Sequence, residues 1–169
     1  FNEFNSVPVM VPSANWGWQN SPVWNTAFVF TAEALLRFCG HKEFVESIYG
    51  NLVKFSKNQI EALKENNWTW GTKGLADWVA PVNSENDEVD PNTSEGAEIC
   101  GTGFVYKMLE SMIYISEVLG IKDNIEEFKN ARENIYKAFN EKFFNKEKNI
   151  YETLFWEQRG KREKYRQTS

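Results

Sequence analysis

Apolar residues recur along most of this chain at intervals of three and four positions, the spacing that marks one face of an α-helix. The pattern predicts four helices: from about Asn25, a plausible N-cap, to Cys39, then Lys42 to Lys64, Thr102 to Leu119, and Asp123 to Phe143. The apolar face of the first consists of Ala27, Phe30, Ala34, Leu35 and Phe38. A short extended segment, Asn149 to Leu154, is typical of one strand of a hairpin.

An internal repeat organises these helices into pairs. Gly40 and Gly120, 80 residues apart, each end an apolar helix, and each is followed by a short turn and a helix with an acidic first turn. The unit is a helical hairpin, which must stack on neighbours to bury its apolar faces. The second and fourth helices carry Lys and Glu along one face, as an outer ring would. An α/α toroid and an α-solenoid both fit this all-α pattern.

The connection from Glu65 to Gly101 favours the toroid. It is about 37 residues long, whereas the turns of a solenoid are short, and long loops within compact domains are usually functional. Tryptophan is concentrated in and before this region, at positions 16, 18, 24, 68, 70 and 78, within segments rich in Gly, Asn, Ser and Pro. A loop tryptophan either covers the core or lines a ligand site, where its flat face packs on a sugar ring. For the cluster as a whole we favour a carbohydrate site.

Residues 74–106 contain no Lys or Arg but seven acids: Asp77, Glu85, Asp87, Glu88, Asp90, Glu95 and Glu98. Carboxylates held together without counter-charges raise one another's pKa, as a general acid requires. A solvated acidic loop, a sugar site and a calcium loop remain open. Asp77 differs from the others because small apolar residues and Trp78 flank it, which favours a carboxylate that contacts a ligand.

Composition narrows the remaining possibilities. The length of 169 residues suits one domain, and the net charge of −5 argues against a nucleic-acid partner. No run approaches the roughly 20 apolar residues of a membrane span. Cys39 and Cys100 are expected to be buried free thiols, and His41 a surface turn residue, so we expect neither a metal site nor a cofactor. The chain looks cut at both ends, and cytoplasm and periplasm cannot be distinguished.

Several short motifs resemble those of bacterial α-L-rhamnosidases. They are Val7-Pro8-Val9-Met10-Val11-Pro12 with Pro22-Val23-Trp24-Asn25-Thr26-Ala27, Leu75-Ala76-Asp77-Trp78, the helix Thr102 to Gly120 followed by Phe139-Asn140-Glu141-Lys142-Phe143-Phe144, and Tyr165-Arg166-Gln167-Thr168-Ser169. The family run "P-x-W-G-D-A" is similar to the segment around Trp24, but its acid is replaced by Thr26 here. Related six-hairpin glycosidases share the same rhythm of helices and turns.

The resemblance implies a fold and a set of roles. The fold is an (α/α)₆ barrel of twelve helices, of which residues 1–169 supply about four as part of a catalytic domain. Such enzymes invert the anomeric centre with two carboxylates, and the resemblance implies that both lie outside this chain. Trp24 and Trp78 are then stacking faces for the sugar, and Asp77 binds a sugar hydroxyl. The partners implied are a carbohydrate and the remainder of the same catalytic domain.

Two further interpretations stay open. The first is another six-hairpin glycosidase, similar to glucosidases or trehalases, in which Asp77 is itself the general acid. The second is a helical-repeat module without enzymatic activity that binds a glycan or peptide. A fragment of an inverting α-L-rhamnosidase, inactive by itself, remains the preferred hypothesis.

Overall fold

The computed structural model of the chain describes residues 7–11, 17, 19–71, 74 and 96–152. These residues form an all-α structure with one short β-hairpin, as the sequence pattern predicts. The helices are α1 (Pro22–Asn25), α2 (Ala27–Ala34), α3 (Lys42–Lys64), α4 (Ala97–Leu119) and α5 (Ile125–Phe143), and the strands are β1 (Phe144–Asn145) and β2 (Ile150–Tyr151). A π-helical turn, Leu35–Cys39, continues α2.

The first predicted helix begins earlier than expected and is interrupted. Asn25 is not its N-cap, because α1 begins at Pro22, whose fixed φ and missing N–H suit the first helical position. Thr26 separates α1 from α2, and its hydroxyl donates a hydrogen bond to the carbonyl oxygen of Pro22 at 2.6 Å. Thr26 is thus a buried residue that satisfies the backbone of this interruption.

The remaining boundaries follow the prediction closely. Helix α3 has the predicted bounds, and Gly40 and Gly120 end their helices in the left-handed region, at φ 69° and 77°. Helix α4 begins at Ala97, five residues before the predicted Thr102, because Gly96 turns the chain at φ 75°. Helix α5 begins at Ile125, two residues after the predicted Asp123. The predicted extended segment contains β2, which pairs with β1 in an antiparallel hairpin.

Helices α2 and α4 run in the same direction. Phe30 contacts Phe104, with ring centroids 6.1 Å apart, the Ser111 hydroxyl donates to the Glu33 carboxylate at 2.5 Å, and the Arg37 guanidinium lies 3.6 Å from the centroid of the Tyr114 ring. Residue numbers rise together on both helices, which defines a parallel pair. The first and third of the predicted helices therefore pack side by side.

Helices α3 and α5 both run antiparallel to α4. Tyr49 and Ser116 share a hydrogen bond at 2.8 Å, and Ser56 lies near Met108, so α3 and α4 are antiparallel. Ion pairs between Lys142 and Glu98, and between Arg132 and Glu110, give the same relation for α5 and α4. We call the end where α1 and α4 begin, and α3 and α5 end, the rim, and the opposite end the base.

Helix α4 is the centre of the core, since it contacts α1, α2, α3 and α5. Its side chains Val105, Met108, Leu109, Met112 and Ile115 are fully buried. The thiols are free, as expected, but Cys39 is exposed at the base and Cys100 is partly buried, so the prediction of two buried thiols is wrong. The π-helical turn accounts for Cys39, because none of its five residues is buried.

Candidate functional site

Trp24 lies in α1, at the rim, and 45% of its surface is exposed. It lines a cleft of about 480 Å³ that follows the flank of α2 and α3 facing away from α4. The lining is largely apolar: Val7, Pro8, Val9, Val11, Trp24, Asn25, Ala27, Phe28, Thr31, Ala32, Leu35, Phe44 and Ile48. The indole is thus not sealed in the core, and its free face can stack on a flat ligand.

A chain of side-chain amides fixes the segment that leads into α1. The Asn25 side chain is buried, its Oδ1 accepts the backbone N–H of Ser21 at 2.5 Å, and its Nδ2 donates to the carbonyl oxygen of Val7 at 2.6 Å. From α3, the Gln59 Nε2 donates to the Asn20 Oδ1 at 3.0 Å. The backbone next to Trp24 is therefore held from two sides.

Gly74 lies against this same segment. A Cβ added at Gly74 would be 3.2 Å from the Ser21 Oγ and 3.4 Å from the Asn20 carbonyl oxygen, and the residue has φ 118°. Both the close approach and the positive φ favour glycine. The long connection between α3 and α4 thus touches the rim beside α1 at a point three residues before Asp77 in sequence.

The beginning of the same connection is wedged onto α4 by Trp70. The Trp70 side chain is 8% exposed and packs so closely on Gly101 that a Cβ there would lie 2.8 Å from its Cγ and Cδ1. Its backbone N–H donates to the Thr102 Oγ1 at 2.8 Å. We call Trp70, Gly101 and Thr102 the Trp70 wedge. Trp70 belongs to the core, so it does not line a sugar site, and the partly buried Trp68 packs against that core.

Glu98 has a counter-charge that the local sequence does not reveal. The Lys142 ammonium, from the last turn of α5, pairs with the Glu98 carboxylate in the first turn of α4 and donates to the Thr69 Oγ1 at 3.2 Å. The expectation of carboxylates without counter-charges is therefore wrong for Glu98, because a distant segment supplies the lysine. The other six acids of the cluster lie outside the described residues.

A second polar group, the Glu33 cluster, lies farther towards the base and consists of Glu33, Arg37, Ser111 and Tyr114. Burial raises the pKa of the Glu33 carboxyl. The hydrogen bonds from Ser111 and Arg37, with the charges of Arg37 and Lys107, outweigh burial and leave that pKa below its ordinary value. A carboxylate kept ionised in this way cannot serve as a general acid near neutrality.

Two comparisons with known proteins bear on this architecture. The family model described as the bacterial alpha-L-rhamnosidase 6 hairpin glycosidase domain matches residues 2–159. The chain belongs to this family. A solved structure of the alpha-L-rhamnosidase from Dictyoglumus thermophilum is similar at a TM-score of 0.70 and 20% identity, over 86% of this chain and 16% of that one. A search of curated protein sequences gave no significant match.

The family assignment confirms the resemblance on which the fold and enzyme class were predicted. The described part of this six-hairpin glycosidase domain supplies two hairpins, α1–α3 and α4–α5. The chain spans 16% of the solved rhamnosidase, far less than a complete enzyme of that kind. None of the described helices is long and apolar enough to cross a membrane.

Of the three predicted substrate-binding residues, the structure describes one. Trp24 is exposed at the rim, whereas Asp77 and Trp78 lie outside the described residues and remain predictions. His41 is exposed in the turn between the first helix and α3, as predicted. Within the described ranges, no three His, Cys, Asp or Glu side chains are grouped as a metal ion would require. Asn25 and Gln59 were missed as rim residues, although a polar residue on a buried helix face is a recognisable signal.

Proposed function

We propose that the full-length protein is a glycoside hydrolase that releases terminal α-L-rhamnose from glycans or glycosides with inversion at the anomeric centre. The match of residues 2–159 to the rhamnosidase six-hairpin domain carries this proposal. The rhamnosidase named among the solved structures shares the fold and supports the same sugar class. The catalytic acid and base come from parts of the protein outside these residues.

This chain contributes the lining of the sugar site. Trp24 and Trp78 offer indole faces to the C–H side of the sugar ring, and the Asp77 carboxylate accepts hydrogen bonds from its hydroxyls. Two observations support the assignment. Trp24 is half-exposed at the rim, and Gly74, close to Asp77 in sequence, lies against Ser21 at the start of α1. Because Asp77 follows Gly74 by three residues in sequence, this contact supports a shared site with Trp24.

Trp24 also borders a cleft with few polar groups, and the Asn25 amide is already used by Ser21 and Val7. Apolar lining suits packing by another helix, while a sugar also needs hydrogen bonds. In the proposed site, the Asp77 carboxylate accepts these hydrogen bonds from the sugar. The 169 residues alone are expected to lack glycosidase activity, because the proposed acid and base lie outside them and hydrolysis requires both carboxylates.

The test is steady-state kinetics of the full-length protein on aryl α-L-rhamnoside, with aryl α-D-glucoside as the competing substrate. Loss of indole stacking removes roughly 0.5–1.5 kcal/mol, so Trp78→Ala should weaken substrate binding about tenfold, with a smaller effect for Trp24→Ala. The first-formed anomer, followed by NMR, should be inverted. Phe38→Ala is the matched control, because this aromatic side chain is 83% exposed at the base.

Three outcomes would contradict parts of the proposal. Turnover of the glucoside but not the rhamnoside would replace rhamnose with another sugar. Turnover of the rhamnoside by the 169-residue chain alone, abolished by Asp77→Asn, would make Asp77 the general acid. Equal losses in Phe38→Ala and Trp78→Ala would mean that the tryptophans act on stability alone.

A further inference from the structure

Gln59 is a polar side chain in the apolar interior of the domain. It lies on the buried face of α3 and is 0% exposed, among Leu52, Phe55, Ser56, Ile60 and Leu63. Its Nε2 donates to the Asn20 Oδ1 at 3.0 Å. Its Oε1 is buried and has no hydrogen-bond partner, the single such side-chain atom within the described residues.

An amide at this position lowers the stability of the fold. A buried carbonyl oxygen loses its hydrogen bonds to water on folding, and here the protein returns none to it. Leucine or methionine would fill similar space in this apolar setting without that loss. Buried polar groups that lower stability in this way are concentrated at functional sites.

The segment that Gln59 holds is the one that enters α1. Asn20 precedes Ser21, whose N–H is bound by Asn25, and Trp24 follows within the same turn. On the other side of this segment, Gly74 is in close contact with Asn20 and Ser21. One amide on a rigid 23-residue helix therefore fixes the backbone against which both parts of the rim pack.

We propose that Gln59 is a positioning residue: its amide fixes Asn20 and Ser21, and through them sets Trp24 and Gly74 at the substrate rim. Its effect on turnover rests on the proposed function, whereas its hold on residues 19–25 does not. The pairing also explains why α3 carries an amide on its apolar face.

The experiment compares Gln59→Leu with the unchanged full-length protein by thermal melting, hydrogen exchange and kinetics. The Tm should stay equal or rise, because the unpaired carbonyl is removed. Amide exchange in residues 19–25 should become faster, and KM for aryl α-L-rhamnoside should rise about threefold to tenfold while kcat changes less. Gln59→Met is the second variant, in case leucine does not fit the space beside Ser56.

Asn20→Ala should reproduce the faster exchange and the raised KM, and Gln59→Leu with Asn20→Ala should add nothing to either. Lys57→Met is the matched control on the same helix, since Lys57 is exposed and pairs with Glu127 on α5. A lower Tm together with unchanged exchange and KM would overturn the proposal, because the amide would then only stabilise the core. If the full-length protein hydrolyses no rhamnoside, the proposed function fails, and the exchange rates still decide the role of Gln59.

Discussion

The rim and the base of the helix bundle are joined by different physical means. At the rim, the Trp70 wedge attaches a loop to α4 through close steric contact and one hydrogen bond between uncharged groups, all of it buried. Nearer the base, the Glu33 cluster joins α2 to α4 through a carboxylate, a guanidinium and an aromatic ring, and it is partly exposed to water.

The comparison separates steric packing from electrostatic interaction as the means that hold neighbouring segments together. Contact between Trp70 and Gly101 depends on the absence of one methyl group, so it is insensitive to pH and salt but intolerant of substitution. The Glu33 cluster depends on ionisation, so substitution weakens it gradually, and pH and salt modulate it. We therefore expect the backbone at Trp70 to be held more rigidly than α2 and α4 are held to each other near the base.

Gly101→Ala should have the largest effect on stability. The new methyl group would collide with the Trp70 indole, and an overpacked core costs about 1–3 kcal/mol. Urea denaturation of the full-length protein should show this loss. Gly103→Ala is the matched control on the same helix, where no atom lies within 4 Å of the new Cβ, and alanine should be neutral or stabilising. Equal destabilisation in both variants would show that α4 tolerates no added methyl group in this region, and that contact with Trp70 is not the cause.

Glu33→Gln should have an intermediate effect, and that effect should depend on pH. Because the folded-state pKa of Glu33 is lowered, its ionised form stabilises the fold above the ordinary value of 4.5. That stabilisation is lost as the pH falls through the lowered pKa. Melting curves of the two proteins should differ at pH 7 by about 1 kcal/mol and converge in acid. A constant difference down to pH 3 would show that ionisation of Glu33 does not contribute.

Arg37→Met should have the smallest effect. The substitution removes the contact with the Tyr114 ring and the ion pair with Glu33, which together are worth about 0.5–1 kcal/mol at a site this exposed. The loss should shrink in 1 M salt, because screening weakens exposed charges. Arg132→Met, a similarly exposed arginine 4.0 Å from Glu110, is the control and should cost less. A loss that salt leaves unchanged would point to packing by the arginine stem.

Periodicity and helix-stop signals predicted the parts of the fold that depend on neighbours in sequence. The bounds of α3, the stops at Gly40 and Gly120 and the pairing into hairpins are of this kind. The π-helical turn is not, because it bonds residues five apart and so breaks the 3.6-residue period on which the prediction rests. As a result Phe38, assigned to the apolar face, is 83% exposed.

The candidate site was predictable to the extent that chemistry is local. The resemblance to rhamnosidase motifs, together with its place in a tryptophan-rich polar region, suggested that Trp24 faces a ligand, and the structure leaves it half-exposed. The fit of Trp70 on Gly101, and the pairing of Glu98 with Lys142, join residues far apart in sequence. No period or motif encodes such pairs. From the sequence alone, Trp70 was therefore interpreted as part of a sugar-binding cluster, and Glu98 as an acid without a counter-charge.

The parallel arrangement of α2 and α4 has a consequence for the order of folding. Within the α4–α5 hairpin, Glu98 and Lys142 are 44 residues apart, whereas between the hairpins Glu33 reaches Ser111 across 78 residues. Closing the longer loop costs more conformational entropy, and contacts close in sequence form faster. Each hairpin should therefore form before α2 packs along α4, so that the two hairpins join through surfaces that already exist.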